Sequence, residues 1–103
     1  MDGFYVGSLS PGTVIDLETK MRHYRIECLG GDQVRISGHP SLCPGPLEVR
    51  VQGSTKGRDE VEPGFIGRGM HLVFGRPEEG LSVTTSEIVS IQVDLPVGEP
   101  TPG

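Results

Sequence analysis

The 103-residue chain contains 16 glycines and 9 prolines but no alanine, asparagine or tryptophan, which excludes a long helix or coiled coil. A formal net charge of −5 and 34% hydrophobic residues fit one small domain. The acidic sum disfavours duplex DNA, whose phosphates would repel it.

Short bursts of Val, Ile, Leu and Thr between the glycines predict an all-β chain. Residues 1–12 end in Ser-Leu-Ser-Pro-Gly, a turn signal, and read as a lead-in to one domain over 13–94. The first barrel strand is expected over 13–19, with Ile15 and Leu17 on one face and Asp16 and Glu18 on the other. The next, 22–29, points Tyr24, Ile26 and Cys28 inward and His23, Arg25 and Glu27 outward. Gly30-Gly31-Asp32 turns the chain into 33–37, where Val34 and Ile36 point inward. A three-residue loop pairs Leu29 with Gln33, Cys28 with Val34, Glu27 with Arg35 and Ile26 with Ile36; a two-residue loop would mix the faces.

Three prolines within 38–46 rule out a strand interior there, and alternation resumes over 47–52 through Leu47, Val49 and Val51. The polar stretch 53–64 reads as a loop. A glycine-punctuated strand is expected over 65–75, with Met70, Leu72 and Phe74 sharing a face and Gly67 and Gly69 marking a bend or close backbone approach. A turn over 76–80, a strand over 81–84 and a last strand over 88–93 complete the meander. Met70, Leu72 and Ile91 are expected in the core. The segment 95–103 holds three prolines and reads as a disordered tail.

The polar step Thr85-Ser86-Glu87 is too short for a crossover and lacks hairpin chemistry. A single 3₁₀ turn there would join the flanking strands end to end and bend the sheet. That step resembles the connection before the final strand of SH3-like barrels. The likeness is architectural, covers most of 13–93, and brings no catalytic or ligand motif. The expected fold is therefore a small antiparallel SH3-like barrel, with an OB-like barrel or a β-sandwich as alternatives. The segments 64–74 and 84–91 also resemble short bacterial β-proteins of unassigned function, a likeness that transfers no function.

Charge is unevenly spread. Residues 1–19 carry three acids and no base, 20–58 are +4, and 59–103 are −6. Arg25, Arg35 and Arg50 fall on outward positions and could form a positive stripe, offset by Glu27 and Glu48. Such a stripe would suit RNA or a single strand, but the acidic remainder makes nucleic acid the lesser expectation.

Motifs for chemistry are lacking. His39 and Cys43 lie four residues apart, short of the three or four ligands of a zinc site. His23 and His71 fall on outward faces. No Gly-x-Ser-x-Gly elbow is present, Ser54 has no base nearby in sequence, and a Cys43–His39 pair has no evident oxyanion hole. Asp59, Glu60 and Glu62 do not match an EF-hand loop. Gly53-Ser54-Thr55-Lys56-Gly57 has P-loop residues in the wrong order, and Gly67-Arg68-Gly69 lacks the third glycine of a dinucleotide turn. No cofactor, metal or catalytic activity is expected.

Two cysteines are too few for a disulfide framework, and neither a signal peptide nor a membrane span is evident. The location expected by default is cytoplasmic, with Cys28 packed as a small apolar residue. A Cys28–Cys43 bridge would run against that compartment. Five aromatics limit recognition of peptides or single strands. With Tyr24 and Phe74 assigned to the core, a contact surface must come from Phe4, Tyr5 and Phe65. The sequence thus predicts a non-enzymatic binding or assembly module whose partner is a protein or a second copy. In that reading Phe4-Tyr5-Val6 covers a sheet edge in its own or a neighbouring subunit.

Overall fold

The computed structural model describes residues 3–41, 45–57 and 60–96. The Cys43 proposals and the tail over 97–103 fall outside them. Nine strands follow one another with no α-helix among the described residues. They are β1 (Gly3–Tyr5), β2 (Val14–Thr19), β3 (His23–Gly30), β4 (Gln33–Ser37), β5 (Leu47–Thr55), β6 (Glu62–Pro63), β7 (Phe65–Gly67), β8 (His71–Arg76) and β9 (Leu81–Asp94). Short 3₁₀ turns occupy Val6–Ser8 and Pro77–Glu79. No helix among the described residues is long and apolar enough to cross a membrane.

Every main pairing is antiparallel. The large sheet runs β4-β3-β2-β9-β8-β5-β6, and β4 also pairs with β5, so the hydrogen-bonded order returns to its start. Alternation of apolar and polar residues buries one face of β2, β3 and β4, whereas β8 is buried from Leu72 to Gly75. Ile15, Leu17, Ile26, Val34, Ile36, Leu72, Phe74 and Ile88 are fully enclosed, and Tyr24 meets Phe74 edge to face at 5.9 Å. Cys28 is a buried free thiol in the same cluster, its pKa raised by burial and then by the charge of Glu27. The inward assignments over β2, β3 and β4 hold.

The hairpin between β3 and β4 pairs Ile26 with Ile36, Glu27 with Arg35 and Cys28 with Val34. Its end differs from the expectation. Gly30, not Leu29, lies opposite Gln33, because Leu29 is taken up in a register shift. Gly30 and Gly31, at φ of 133° and 59°, supply the backbone conformations that make this possible.

Four other expectations are corrected. The polar stretch 53–64 is not all loop: β5 continues to Thr55, burying Gly53, Ser54 and Thr55, and β6 pairs against it. A Cβ on Gly53 would collide with the Glu62 carbonyl, which is why the strand needs glycine there. The strand expected over 65–75 breaks into β7 and β8 at Arg68-Gly69-Met70, where Gly69 has φ of 86°. Leu72 is fully buried as expected, but Ile91 only packs against the core from its margin, and Met70 in the turn is half-buried.

The fourth correction concerns Thr85-Ser86-Glu87, which is extended strand and not a 3₁₀ turn. It joins the two expected strands end to end as a register shift against β8. The polar groups are met by two distant partners and one neighbour. Leu72 N–H donates to Thr85 Oγ1 at 3.0 Å, Met21 N–H donates to Ser86 Oγ at 3.0 Å, and the Thr85 hydroxyl donates to the Ser86 carbonyl at 2.7 Å. The first part of β9 pairs with β8 and the second with β2.

Candidate functional site

The lead-in contributes to the fold. Gly3, Phe4 and Tyr5 form β1 and pair with Gly67, Ile66 and Phe65 of β7 in the same chain. Val6 follows with its side chain buried, and its N–H donates to the Gly64 carbonyl at 2.8 Å. Ile66 is fully buried, so both segments are anchored from beneath. The edge that Phe4-Tyr5-Val6 covers is thus one of its own subunit.

This pairing brings together the three aromatics singled out as a contact surface. Tyr5 and Phe65 lie directly opposite and meet edge to face at 5.1 Å, while Phe4 packs partly against the core. Gly3 and Gly67 face each other across the strands. A Cβ at Gly67 would stand 2.6 Å from Met70 Sδ and 2.7 Å from the Phe65 ring, and one at Gly3 would run into the same ring. The glycines therefore let Phe65 lie flat over the backbone.

Beside these residues opens a groove of about 740 Å³, lined by Phe4, Tyr5, Phe65 and Met70 together with Lys56, Arg68, Ser8 and the two glycines. Lys56 and Arg68 are exposed. Tyr5 leaves 51% of its surface open, and its phenol donates to Glu62 Oε2 at 3.0 Å, which fixes the ring. That hydrogen bond, the negative charge behind it and some desolvation raise the Tyr5 pKa, so the phenol stays protonated. Met70 is positioned by Ser54, whose buried hydroxyl donates to its sulfur at 3.5 Å. Backbone bonds from Gly69 N–H to the Ile88 carbonyl and from Ile88 N–H to the Met70 carbonyl, both 2.8 Å, pin the turn to β9. Chemically this is an apolar slot with two cations on its lining, suited to hold an extended chain carrying an apolar side chain and a carboxylate.

The arginine positions lie elsewhere. Arg25, Arg35 and Arg50 occupy β3, β4 and β5, which are neighbours, so the geometric premise of the stripe is met. Its field is not. Arg35 stands opposite Glu27 on one side and Glu48 on the other, with guanidinium contacts of 3.2 and 3.6 Å. Arg50 reaches Asp32 at 3.4 Å, and Arg25 lies opposite Asp16. The wall is an alternating ladder of charge.

Of the other candidates, His39 Nδ1 lies 3.2 Å from the Ser41 N–H in the turn the sequence predicted, and His71 Nδ1 lies 2.9 Å from the Thr85 carbonyl, half-buried rather than outward. His23 is exposed as expected, 3.5 Å from Asp16. No cluster of three metal-ligating side chains occurs among the described residues. Sequence reasoning missed Met70 and Lys56 as groove residues. Met70 falls in phase with Leu72 and Phe74, and only the glycines on both sides of Arg68 hint that the strand breaks before it. Comparison with protein-family models, curated proteins and solved structures finds no match to this chain.

Proposed function

We propose that the chain is a non-enzymatic binding module built as a small SH3-like β-barrel, which takes an extended apolar segment of a protein partner into the groove beside β1 and β7. The β4–β5 pairing, which brings the sheet order back to its start, and the course of β9 from β8 to β2 support the barrel reading. One observation carries the functional reading: Tyr5, Phe65 and Met70 converge from distant parts of the chain around an open slot instead of joining the interior, beside Phe4, which packs partly against the core. Exposed aromatic surface on so small a domain costs solvation unless a partner covers it.

RNA or single-strand binding is the weaker reading. Arg35 and Arg50 already face carboxylates at 3.2–3.6 Å, which leaves little potential for a phosphate backbone. Amide chemical-shift mapping separates the two. Titration with short extended peptides that combine aliphatic residues, proline and an acid should move Tyr5, Phe65, Gly67 and Met70. A single-stranded oligonucleotide should move nothing at physiological salt. Shifts centred on Arg25, Arg35 and Arg50 with the oligonucleotide would overturn the proposal.

A further inference from the structure

A second exposed apolar feature lies at the far end of β9. Ile91 and Val93 stand opposite Leu17 and Ile15, so both continue the inward row of the sheet. The enclosure fails before the row ends: Val93 is 37% exposed and Leu95, just past the strand, is 70% exposed. Asp94, exposed, sits between them. The end of β9 is therefore an extended apolar–acid–apolar segment, held in place by its pairing with β2 and left exposed among the described residues.

That pattern complements the groove, where aromatic rings and Met70 offer apolar surface and Lys56 offers positive charge. The two features cannot meet within one molecule. Ile88 is bonded to the groove's turn, and Leu95 lies seven positions further along the extended chain, a span on the order of 20 Å. Resting on the groove reading above, we propose that the groove of one copy receives Val93, Asp94 and Leu95 of a second copy, with Leu95 against Phe65 and Asp94 near Lys56. Donor and acceptor surfaces differ, so the contact is head to tail and builds chains or closed rings.

Sedimentation velocity of the full chain over a wide concentration range tests this. Wild type should gain mass with concentration, whereas Leu95→Asp and Phe65→Ala should each weaken association by about tenfold or more. Thermal melts of both variants check that they fold. An equimolar mixture of the two should recover a complex that stops at the dimer, because one variant retains only the groove and the other only the plug. Wild type that stays monomeric throughout, association that survives Leu95→Asp, or a mixture that fails to recombine would each overturn the proposal. If wild type is monomeric while the aliphatic and acidic peptides still shift Phe65, self-assembly falls and the groove reading stands; if neither occurs, both fall.

Discussion

On the wall built by β3, β4 and β5, Arg35 lies between Glu27 and Glu48 and Arg50 reaches Asp32; at the β1–β7 end, Tyr5 and Phe65 meet edge to face beside an open groove. Beneath the wall, Ile26, Val34 and Ile36 are sealed from water. Beneath the other end Val6 and Ile66 are, and two glycines leave room for the Phe65 ring over the backbone. The charged wall answers its own electrostatics, so it has little left to offer a partner. The aromatic end leaves apolar surface unanswered. The proposed binding surface is thus placed by what the chain leaves unsatisfied, not by where its arginines are most numerous.

The largest effect should come from the sealed side. Ile36→Ala removes a fully buried side chain from the strand that carries the ladder, and should cost about 2–5 kcal/mol by chemical denaturation. A loss below about half a kcal/mol would mean that this wall is not where the core is closed.

Gly67→Ala should act on the open end. The new methyl group presses on Met70 and the Phe65 ring, so a cost of about 1–3 kcal/mol is expected, together with loss of peptide binding. Full binding with unchanged stability would show that the rings yield freely and that the slot is not preformed. Phe65→Ala, from a half-buried position, should cost less, about 1 kcal/mol.

Arg35→Ala tests the ladder and should cost under about 1 kcal/mol, since its ion pairs face solvent. A double-mutant cycle with Glu27→Ala measures the pair directly, and a coupling well above that value would make the wall's charges structural.

The smallest expected effect is in alkaline solution. Burial raises the folded Cys28 thiol above its ordinary range, so the unfolded thiol ionises first as pH rises. The contribution is whole below the unfolded pKa and is lost as pH rises through the folded one. Tyr5, raised by Glu62, acts in the same direction at higher pH. Unfolding free energy measured at about pH 8 and about pH 10 should therefore fall. Cys28→Ala should flatten part of that decline, and an identical slope in the variant would remove the thiol as its cause.

The two regions also differ in how far they were legible in the sequence. Tyr24, Ile26 and Cys28 on β3 and Val34 and Ile36 on β4 alternate strictly, and any other register would expose an apolar face. Three of the four expected pairs across that hairpin follow from this, as does the Glu27–Arg35 contact. The fourth pair fails because glycine backbone freedom absorbs Leu29, which side-chain pattern does not record. At the other end, β1 has three residues, too few to show a period, and its partner lies about sixty positions away. Tyr5 and Phe65 were identifiable there as aromatics the core did not need, but their convergence was not, and Phe4 packs partly against the core. Thr85 and Ser86 illustrate the same limit. Their hydroxyls favour a local turn in isolation, and the strand wins because Leu72 and Met21 supply hydrogen bonds from other parts of the chain.

The most direct measurement is a side-by-side titration of an extended peptide carrying an aliphatic residue, proline and an acid into wild type, Phe65→Ala and Arg35→Ala, with folding verified for each. Binding that weakens about tenfold or more in Phe65→Ala and stays within about twofold of wild type in Arg35→Ala is the predicted result. The reverse order, with Arg35→Ala abolishing binding and Phe65→Ala leaving it intact, would contradict the assignment of the aromatic end as the binding surface.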